Sequence, residues 1–242
     1  MNLVPRFFGG KTAIILVLGI AVWQLSSAAR AGLIMDISVN GGAPITVLDN
    51  GPLDSDPSPN QISYDTPISG FAASLTSATT NNPGSSTVGQ ISDTASVFEN
   101  TSAAPETVVL TLSDSGFTPG SSLPGTLTSY LAATLVNAAP TDFVSLQSSV
   151  ISAGTTSTPM QTLTVNGNET EVVPFSNAGT YSLQSVMTFQ LSPGASAALS
   201  SSTTTVVPVP EPSTVSLLAA IMAFAAFARF WRHRVRDVSN LG

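Results

Sequence analysis

The chain has 242 residues, a formal net charge of −7 and no cysteine. None of its seven Lys and Arg residues, its single His or its two Trp lies between Gly32 and Pro210, whereas all but two of its fourteen Asp and Glu residues do. Without positive charge this middle region cannot neutralise phosphates, which excludes nucleic-acid binding and attraction to anionic lipid, and without cysteine it has no disulfides.

The N-terminus has the order of a secretory signal peptide. Two basic residues, Arg6 and Lys11, precede an apolar helical run, Ala13–Trp23, and small residues at Ala29 and Ala31 form an A-x-A pattern. An uncleaved signal anchor is the alternative, but a run of about a dozen residues is short against the roughly 20 that a spanning helix needs. The pattern predicts a signal peptide over residues 1–31, cleaved after Ala31.

The sequence of residues 32–205 predicts short β-strands separated by turns. Val, Thr and Ser dominate, several runs alternate with period 2, and clusters of Gly, Pro, Asn and Asp separate them. We predict an all-β, antiparallel β-sandwich, Ig-like or jelly-roll, as one large domain or two small ones. The predicted strands are Leu33–Val39, Ile45–Leu48, Phe71–Thr76, Thr94–Phe98, Thr107–Leu112, Leu127–Val136, Phe143–Ile151, Gln161–Val165, Tyr181–Leu191 and, near the end, Ala198–Val206.

A disordered Ser/Thr-rich stalk is the alternative for this middle region. The segments Thr76–Thr87 and Ser200–Thr205 have that composition, and we expect them to be flexible. Elsewhere Val, Leu, Ile and Phe recur too regularly for disorder throughout.

The amino-acid composition of the region between the two terminal segments excludes most kinds of catalytic site. The exported region has no His or Lys to act as the base of a serine hydrolase, and no His or Cys for a zinc site. Hydrolysis of glycosides by two carboxylates needs only Asp or Glu and so remains possible. However, glycosidase clefts usually also contain tryptophan and basic groups, which are absent from this region. We therefore expect a protein that is not an enzyme and has no cofactor, with Ca²⁺ as the one candidate ion.

The candidate calcium ligands lie in one loop. Asp49, Asp54 and Asp56 fall within eight residues, beside Asn50 and Asn60, and Ca²⁺ prefers clustered oxygen ligands. The spacing is not that of an EF-hand, and a solvated turn rich in Asp and Asn is the alternative.

A second acidic pair, Glu169 and Glu171, has a different interpretation. Charge at the exposed edge of a sheet discourages the pairing of that edge with another chain. We predict that these two residues flank such an edge.

The C-terminus has three parts in order. Prolines extend Val206–Pro212, since each disfavours helix in the residue before it. An apolar helix follows over Val215–Ala228, and we predict a single transmembrane segment over residues 215–231, capped by Ser213 or Thr214. The Arg-rich tail, residues 229–236, marks a cytoplasmic end. Its arginines are Arg229, Arg232, Arg234 and Arg236.

Residues 206–236 resemble the PEP-CTERM sorting signal: the motif Pro210, Glu211, Pro212, then a short apolar helix, then an arginine cluster. The resemblance implies recognition by an exosortase, a membrane protease-transpeptidase, with processing near this motif. It also implies a Gram-negative-type cell envelope and association with exopolysaccharide.

Together these patterns predict an exported structural or interaction protein of the cell surface or extracellular matrix. It would be delivered by the secretion machinery, anchored in the membrane by its C-terminal helix and then sorted by an exosortase. The alternative is a carbohydrate-binding or Ca²⁺-stabilised adhesive module.

Overall fold

The computed structural model describes residues 32–68, 70–85, 87–118, 124–176 and 179–206. Within these ranges the secondary structure consists of β-strands and turns, without helix. The strands are β1 Ile34–Val39, β2 Ile45–Leu48, β3 Gln61–Tyr64, β4 Phe71–Thr80, β5 Val88–Asn100, β6 Glu106–Phe117, β7 Gly125–Val136, β8 Phe143–Ile151, β9 Thr155–Ser157, β10 Gln161–Leu163, β11 Gly167–Phe175, β12 Tyr181–Leu191 and β13 Ser196–Val206.

The strands form two antiparallel sheets that pack face to face. Sheet A has the order β10-β8-β12-β6-β1-β2, with β9 paired to β8, and sheet B has the order β11-β7-β13-β5-β4-β3. The last strand, β13, lies between β7 and β5 in sheet B, and β12 lies between β8 and β6 in sheet A. The last two strands of the sandwich therefore each occupy an inner position, β12 in sheet A and β13 in sheet B.

The predicted β-sandwich is confirmed, with two sheets and antiparallel pairing throughout the described residues. Ile45–Leu48, Phe143–Ile151 and Tyr181–Leu191 have the predicted bounds. Strands β3, β9 and β11 were not predicted, since β3 and β9 are short and β11 contains Pro174, which weakens its strand pattern.

The prediction of flexibility in two Ser/Thr-rich segments is wrong for the parts that form strands. Ser200–Thr205 lies inside β13 and pairs with strands on both sides, and Thr76–Thr80 belongs to β4. Composition misled here because alternate hydroxyl side chains of β13 point into the core, where they find hydrogen-bond partners. Thr203 and Thr205 are both fully buried.

The core between the sheets has an aromatic cluster towards each end. At one end Phe98 of sheet B contacts Phe189 of sheet A, with ring centroids 4.5 Å apart, and Phe71 meets Phe98 edge to face. At the other end Tyr181 of sheet A stacks on Phe117 and meets Phe175 of sheet B. These ring contacts add to the free energy gained by apolar burial and link the two sheets.

A chain of buried hydroxyl groups crosses the centre of the core. Ser185 and Ser148 of sheet A face Thr203 and Ser129 of sheet B, and the chain ends at the carboxamide of Gln161 on β10. The oxygen–oxygen distances along it are 2.5, 2.6, 2.8 and 2.7 Å.

The direction of donation in this hydroxyl chain follows from its end. Ser129 donates to Gln161 Oε1, and Ser148 donates to Ser129. Each hydroxyl has one proton, so Thr203 must donate to Ser148 and Ser185 to Thr203. Each hydroxyl proton therefore has an acceptor, so the row of polar groups can remain buried at little cost in folding free energy.

Replacing Thr203 by valine should destabilise the protein by about 1–3 kcal/mol, because Ser185 loses its acceptor and Ser148 its donor inside the core. The change keeps the β-branched shape and the strand preference of the side chain. Urea unfolding monitored by circular dichroism measures the difference.

The matched control is Thr204→Val, one residue along the same strand, where the side chain points outward. It should change stability by no more than about 0.5 kcal/mol. Equal effects of the two substitutions would show that the hydroxyl chain contributes nothing.

Strand β11 forms one edge of sheet B, and the two acidic residues predicted to flank a sheet edge lie in this strand. Glu169 and Glu171 lie in β11 opposite Leu131 and Ser129 of β7, whose side chains point inward. The Oε2 atom of Glu169 accepts a hydrogen bond from the backbone N–H of Thr162, 3.2 Å away. Inward-leaning charge on an edge strand opposes the addition of another strand.

Candidate functional site

Most of the residues predicted to direct export and sorting lie outside the described part of the chain. These are Ala29 and Ala31, the motif Pro210, Glu211 and Pro212, and the arginines Arg229, Arg232, Arg234 and Arg236. The predicted signal helix and C-terminal helix lie outside it too. Among the residues that are described, no helix is long and apolar enough to cross a membrane.

The three predicted calcium ligands lie in the loop between β2 and β3, where their carboxylates accept hydrogen bonds from the backbone. Asp54 binds three backbone N–H groups, those of Asn50, Asp56 and Ser63, at 2.9–3.0 Å. Asp49 accepts from the N–H of Asn60 at 2.9 Å. These bonds shape the loop as a series of Asx turns.

Asp56 accepts from the N–H of Ser58 at 2.8 Å, and this bond lowers the pKa of its carboxyl group. Within the described part of the chain, no three His, Cys, Asp or Glu side chains come together in a group that could hold a metal ion. The structure thus places Asp49, Asp54 and Asp56 in one loop without assembling the predicted calcium site. The backbone hydrogen bonds to Asp54 and Asp56 are those of a turn rich in Asp and Asn, the alternative interpretation, and the calcium site stays a prediction.

Replacing Asp54 by alanine should destabilise the protein by about 1–3 kcal/mol, because three backbone donors lose their acceptor. Thermal unfolding with and without added CaCl₂ measures the loss, which should be the same in both. Asp65→Ala is the matched control, since Asp65 is exposed. A loss that appears only when calcium is present would contradict this account and restore the metal site.

One carboxylate is buried at the end of the sandwich without full compensation. Asp114 of β6 is 3% exposed, and its Oδ1 accepts from Asn82 Nδ2 at 2.6 Å and from the N–H of Ser115 at 2.7 Å. Its Oδ2 has no hydrogen-bond partner. Burial raises the pKa of Asp114 above the ordinary 3.8, the bonds from Asn82 and Ser115 offset part of the rise, and the charge of Asp49 adds to it.

The raised pKa of Asp114 makes its charge unfavourable to folding. The unfolded chain ionises this carboxyl near pH 3.8, whereas the folded chain ionises it only at higher pH. Stability is therefore lost as the pH rises from the ordinary pKa to the raised one, and the loss is complete above the raised one.

Replacing Asp114 by asparagine should raise the melting temperature at pH 7 by roughly 2–4 °C, with a smaller difference below about pH 4. The carboxamide keeps an acceptor for Asn82 and Ser115 and removes the charge. Thermal unfolding between pH 3 and 8 measures this, with Asp65→Asn as the exposed control. Destabilisation of Asp114→Asn at pH 7 would show that the charged carboxylate is needed.

A groove that could receive a ligand crosses the outer face of sheet B. It has a volume of about 430 Å³ and crosses β11, β7, β13 and β5. Ala132, Ala198 and Ser200 form its floor, and Asn168 and Val97 stand at its two sides. The depression exists because these neighbouring floor positions carry small side chains.

A β-bulge accompanies the groove. The pairing of β13 with β5 shifts register between Leu199 and Ser201, where Ser96 and Asp93 are the partners on β5. A bulge bends its strand and increases the local twist. Beside the groove, Tyr130 projects from β7 two residues before Ala132 and is 36% exposed.

The side chains that line this groove are neutral. Its lining offers hydroxyl groups, amides and methyl groups, with no carboxylate and no base. Such a surface forms hydrogen bonds and apolar contacts but has no pair of groups for general acid–base catalysis. Sequence reasoning missed the groove, although the outward phase of β7 and the small residues Ala132 and Ala198 could have indicated it.

Comparisons with known proteins identify no family. No family model matches the chain, and no curated protein matches it. Among solved structures, it is similar to TmCBM61 in complex with β-1,4-galactotriose, at 8% identity over 52% of this chain and 85% of that one, with a TM-score of 0.30.

A second similar structure is described as the basis of the promiscuous specificity of carbohydrate-binding modules of the β-sandwich superfamily. Its identity is 14% over 70% of this chain and 72% of that one, again with a TM-score of 0.30. Likenesses at this level carry no argument about the ligand of the present chain.

Proposed function

We propose that this chain is an exported structural or interaction protein of the cell surface or extracellular matrix, held at the membrane by its C-terminal segment and sorted by an exosortase. The proposal joins a folded body, residues 32–206, to the two terminal segments whose sequences resemble export and sorting signals. The body would do its work by contact, since its groove offers binding groups and no catalytic pair.

The observation that carries the proposal is the place where the folded body ends. Strand β13 ends at Val206, and the proline-rich link Val207–Pro212, with the sorting motif, follows at once. The sandwich is thus complete just before the motif. A cut in this link would leave every strand of the described sandwich intact.

The position of β13 suits a tethered protein. It is paired along its length with β7 on one side and β5 on the other. Tension applied through the C-terminus would therefore load a strand held by two ladders of hydrogen bonds, where an edge strand would have only one.

The distribution of charge supports the same orientation. Every basic residue lies in the terminal segments and none in the body. Positive residues beside an apolar segment favour the cytoplasmic side of a membrane, which leaves the anionic body outside. Negative charge without cations also keeps the body soluble by repulsion.

Within the β-sandwich class, we infer the jelly-roll arrangement and not the Ig-like one. The support is the strand order: from β5 to β8 each successive strand changes sheet, and β11, β12 and β13 do so again. Sheet B then contains the series β5-β13-β7-β11 and sheet A the series β6-β12-β8-β10, as in a double Greek key.

A carbohydrate-binding module is the second candidate, favoured by the uncharged groove with its hydroxyl and amide groups. Exopolysaccharide would be the natural ligand of an envelope protein. Against it, Tyr130 is the one aromatic side chain near the groove among the described residues, and ligand pockets are commonly lined by several aromatic side chains. Calcium does not strengthen this candidate, since the described residues form no three-carboxylate group.

Deleting residues Val209–Arg236 should release the protein into the medium without abolishing its export, because the deletion removes the membrane segment and leaves the signal peptide. Immunoblots of medium, membrane and cytoplasm measure the distribution. The control lacks residues 1–31 and should stay inside the cell. Retention of the tail deletion in the membrane fraction would contradict the proposed anchor.

Mass spectrometry of the mature protein completes this test. We expect an N-terminus at Gly32 and a C-terminus near Pro210. A mature protein that still began at Met1 would overturn the proposed route.

A further inference from the structure

Removal of the signal peptide would create a positive charge in a body that otherwise has none. Residues 32–206 contain no Lys, Arg or His. Cleavage after Ala31 would free the α-amino group of Gly32, and such a group, with an ordinary pKa of about 7.7–8.0, is mostly protonated at pH 7. The cut would therefore give the body its one cation, at a position that the fold determines.

The fold holds Gly32 beside the end of β2. The backbone N–H of Asp49 donates to the carbonyl oxygen of Leu33 at 3.1 Å, and Ile34 pairs with Leu48 in the ladder between β1 and β2. Leu33 is fully buried, and Gly32, the next residue outward, is partly exposed. The position of Gly32 is thus set by residues that follow it in the chain, and these remain after the cut.

A carboxylate lies within reach of Gly32. A Cβ atom placed on this glycine would be 3.4 Å from Asp49 Cβ and 3.6 Å from Asp49 Oδ2. The α-nitrogen is bonded to the same Cα, so it lies no more than about 7 Å from that oxygen. In a chain that begins at Gly32, rotation about its Cα–C bond moves the nitrogen alone, and glycine is the residue least restricted in such rotation. The α-amino group can therefore approach the Asp49 carboxylate.

The Asp49 carboxylate has room for a further donor. Its Oδ2 accepts from the backbone N–H of Asn60 at 2.9 Å, and its Oδ1 accepts from Asn50 Nδ2 at 2.7 Å. Both of these donors are neutral, and a carboxylate offers about four acceptor sites. A hydrogen bond from an ammonium group would be charge-assisted and therefore stronger than either. The two existing bonds hold the carboxylate in place for it.

The space around Gly32 also suits an amine. Gly32, Asp49, Asn50 and Asn60 line an opening of about 430 Å³ at the start of β1. Asp49 is the one carboxylate in its lining, and the other side chains there are neutral. Capture of an N-terminal amine by polar groups is a recurring mode of recognition.

A cation at this position would also reduce a repulsion within the body. Burial and, to a smaller extent, the charge of Asp49 raise the pKa of Asp114. The two carboxylates thus act on each other at this end of the sandwich without a basic side chain between them. An ammonium group beside Asp49 would offset the negative charge that Asp114 experiences.

We propose that the α-amino group released at Gly32 binds the carboxylate of Asp49, so that removal of the signal peptide stabilises the folded body. In the precursor the same nitrogen belongs to an uncharged peptide bond and forms no ion pair. The inference deepens the proposed function and rests on it, because it requires the cut after Ala31.

The test exploits the position of the single lysine. Lys11 is removed with the signal peptide, so the mature protein has one amine, that of Gly32. An acetylating N-hydroxysuccinimide ester therefore blocks this group, and the intact mass shows the added acetyl group. Mature protein from the producing cells or their medium is compared before and after acetylation by thermal unfolding at pH 7 and low salt. EDTA in the buffer keeps divalent cations away from Asp49.

We expect acetylation to lower the melting temperature by roughly 2–4 °C, and by less at about 1 M NaCl, where salt screens the ion pair. In Asp49→Asn, whose carboxamide still accepts from the N–H of Asn60, acetylation should leave the melting temperature unchanged. The matched control is Asp56→Asn, which removes a carboxylate of the same loop that lies outside the opening around Gly32. It should lose as much on acetylation as the unsubstituted protein.

Equal losses in the unsubstituted protein and in Asp49→Asn would overturn the inference. An unchanged melting temperature on acetylation of the unsubstituted protein would overturn it as well. In both cases a mature N-terminus at Gly32 would leave the proposed export route standing. A mature protein that begins elsewhere would overturn the inference together with that cut, and mass spectrometry identifies this outcome directly.

Discussion

The structure depends on a row of polar groups in the place where a β-sandwich normally has only apolar ones. Ser185, Thr203, Ser148 and Ser129 face one another across the middle of the core, and Gln161 ends the row. The hydrophobic effect is non-directional, whereas hydroxyl groups without partners in a dry core cost free energy. The row therefore specifies how the sheets are aligned, and the aromatic clusters at both ends then pack around that alignment.

The division between buried hydroxyls and surface carboxylates explains how a chain without cations folds stably. Its carboxylates have no basic side chain to pair with in the body, so most lie in loops or at sheet edges, where water or backbone N–H groups compensate them. Asp114 is the costly exception, with one oxygen unpaired. Most of the buried side-chain hydrogen bonds among the described residues join neutral groups, which need no counter-charge.

The sequence predicts the sandwich well because alternation with period 2 is a strong signal. Leu127, Leu131 and Leu135 share one phase of β7, and this phase is buried. The same pattern places Ser129 among the inward residues, so the hydroxyl row could have been suspected at that point. It could not be predicted in full, because the partner of each hydroxyl lies in the other sheet, 18 to 55 residues away along the chain.

Strand β13 and the groove show why the rest was not predictable. The string of Ser and Thr at residues 200–205 has no apolar phase, and its order comes from contacts such as that between Tyr181 and Thr205, 2.6 Å apart. The groove requires small residues on different strands to meet at one bulge, which depends on register. In the Asp-rich loop the composition is compatible with either a metal site or a set of turns. The two differ in where each carboxylate points, which the sequence does not give.

The central place of β13 also has a consequence for the timing of folding. Sheet B has a gap between β5 and β7 until residues 196–206 arrive, and these are the last to be synthesised of the whole sandwich. A nascent chain still attached to the ribosome near Val206 has neither a closed sheet nor a complete hydroxyl row. Pairing that spans so much of the sequence is slow to form. The polypeptide consequently stays open, and accessible to chaperones, until translation has passed its final strand.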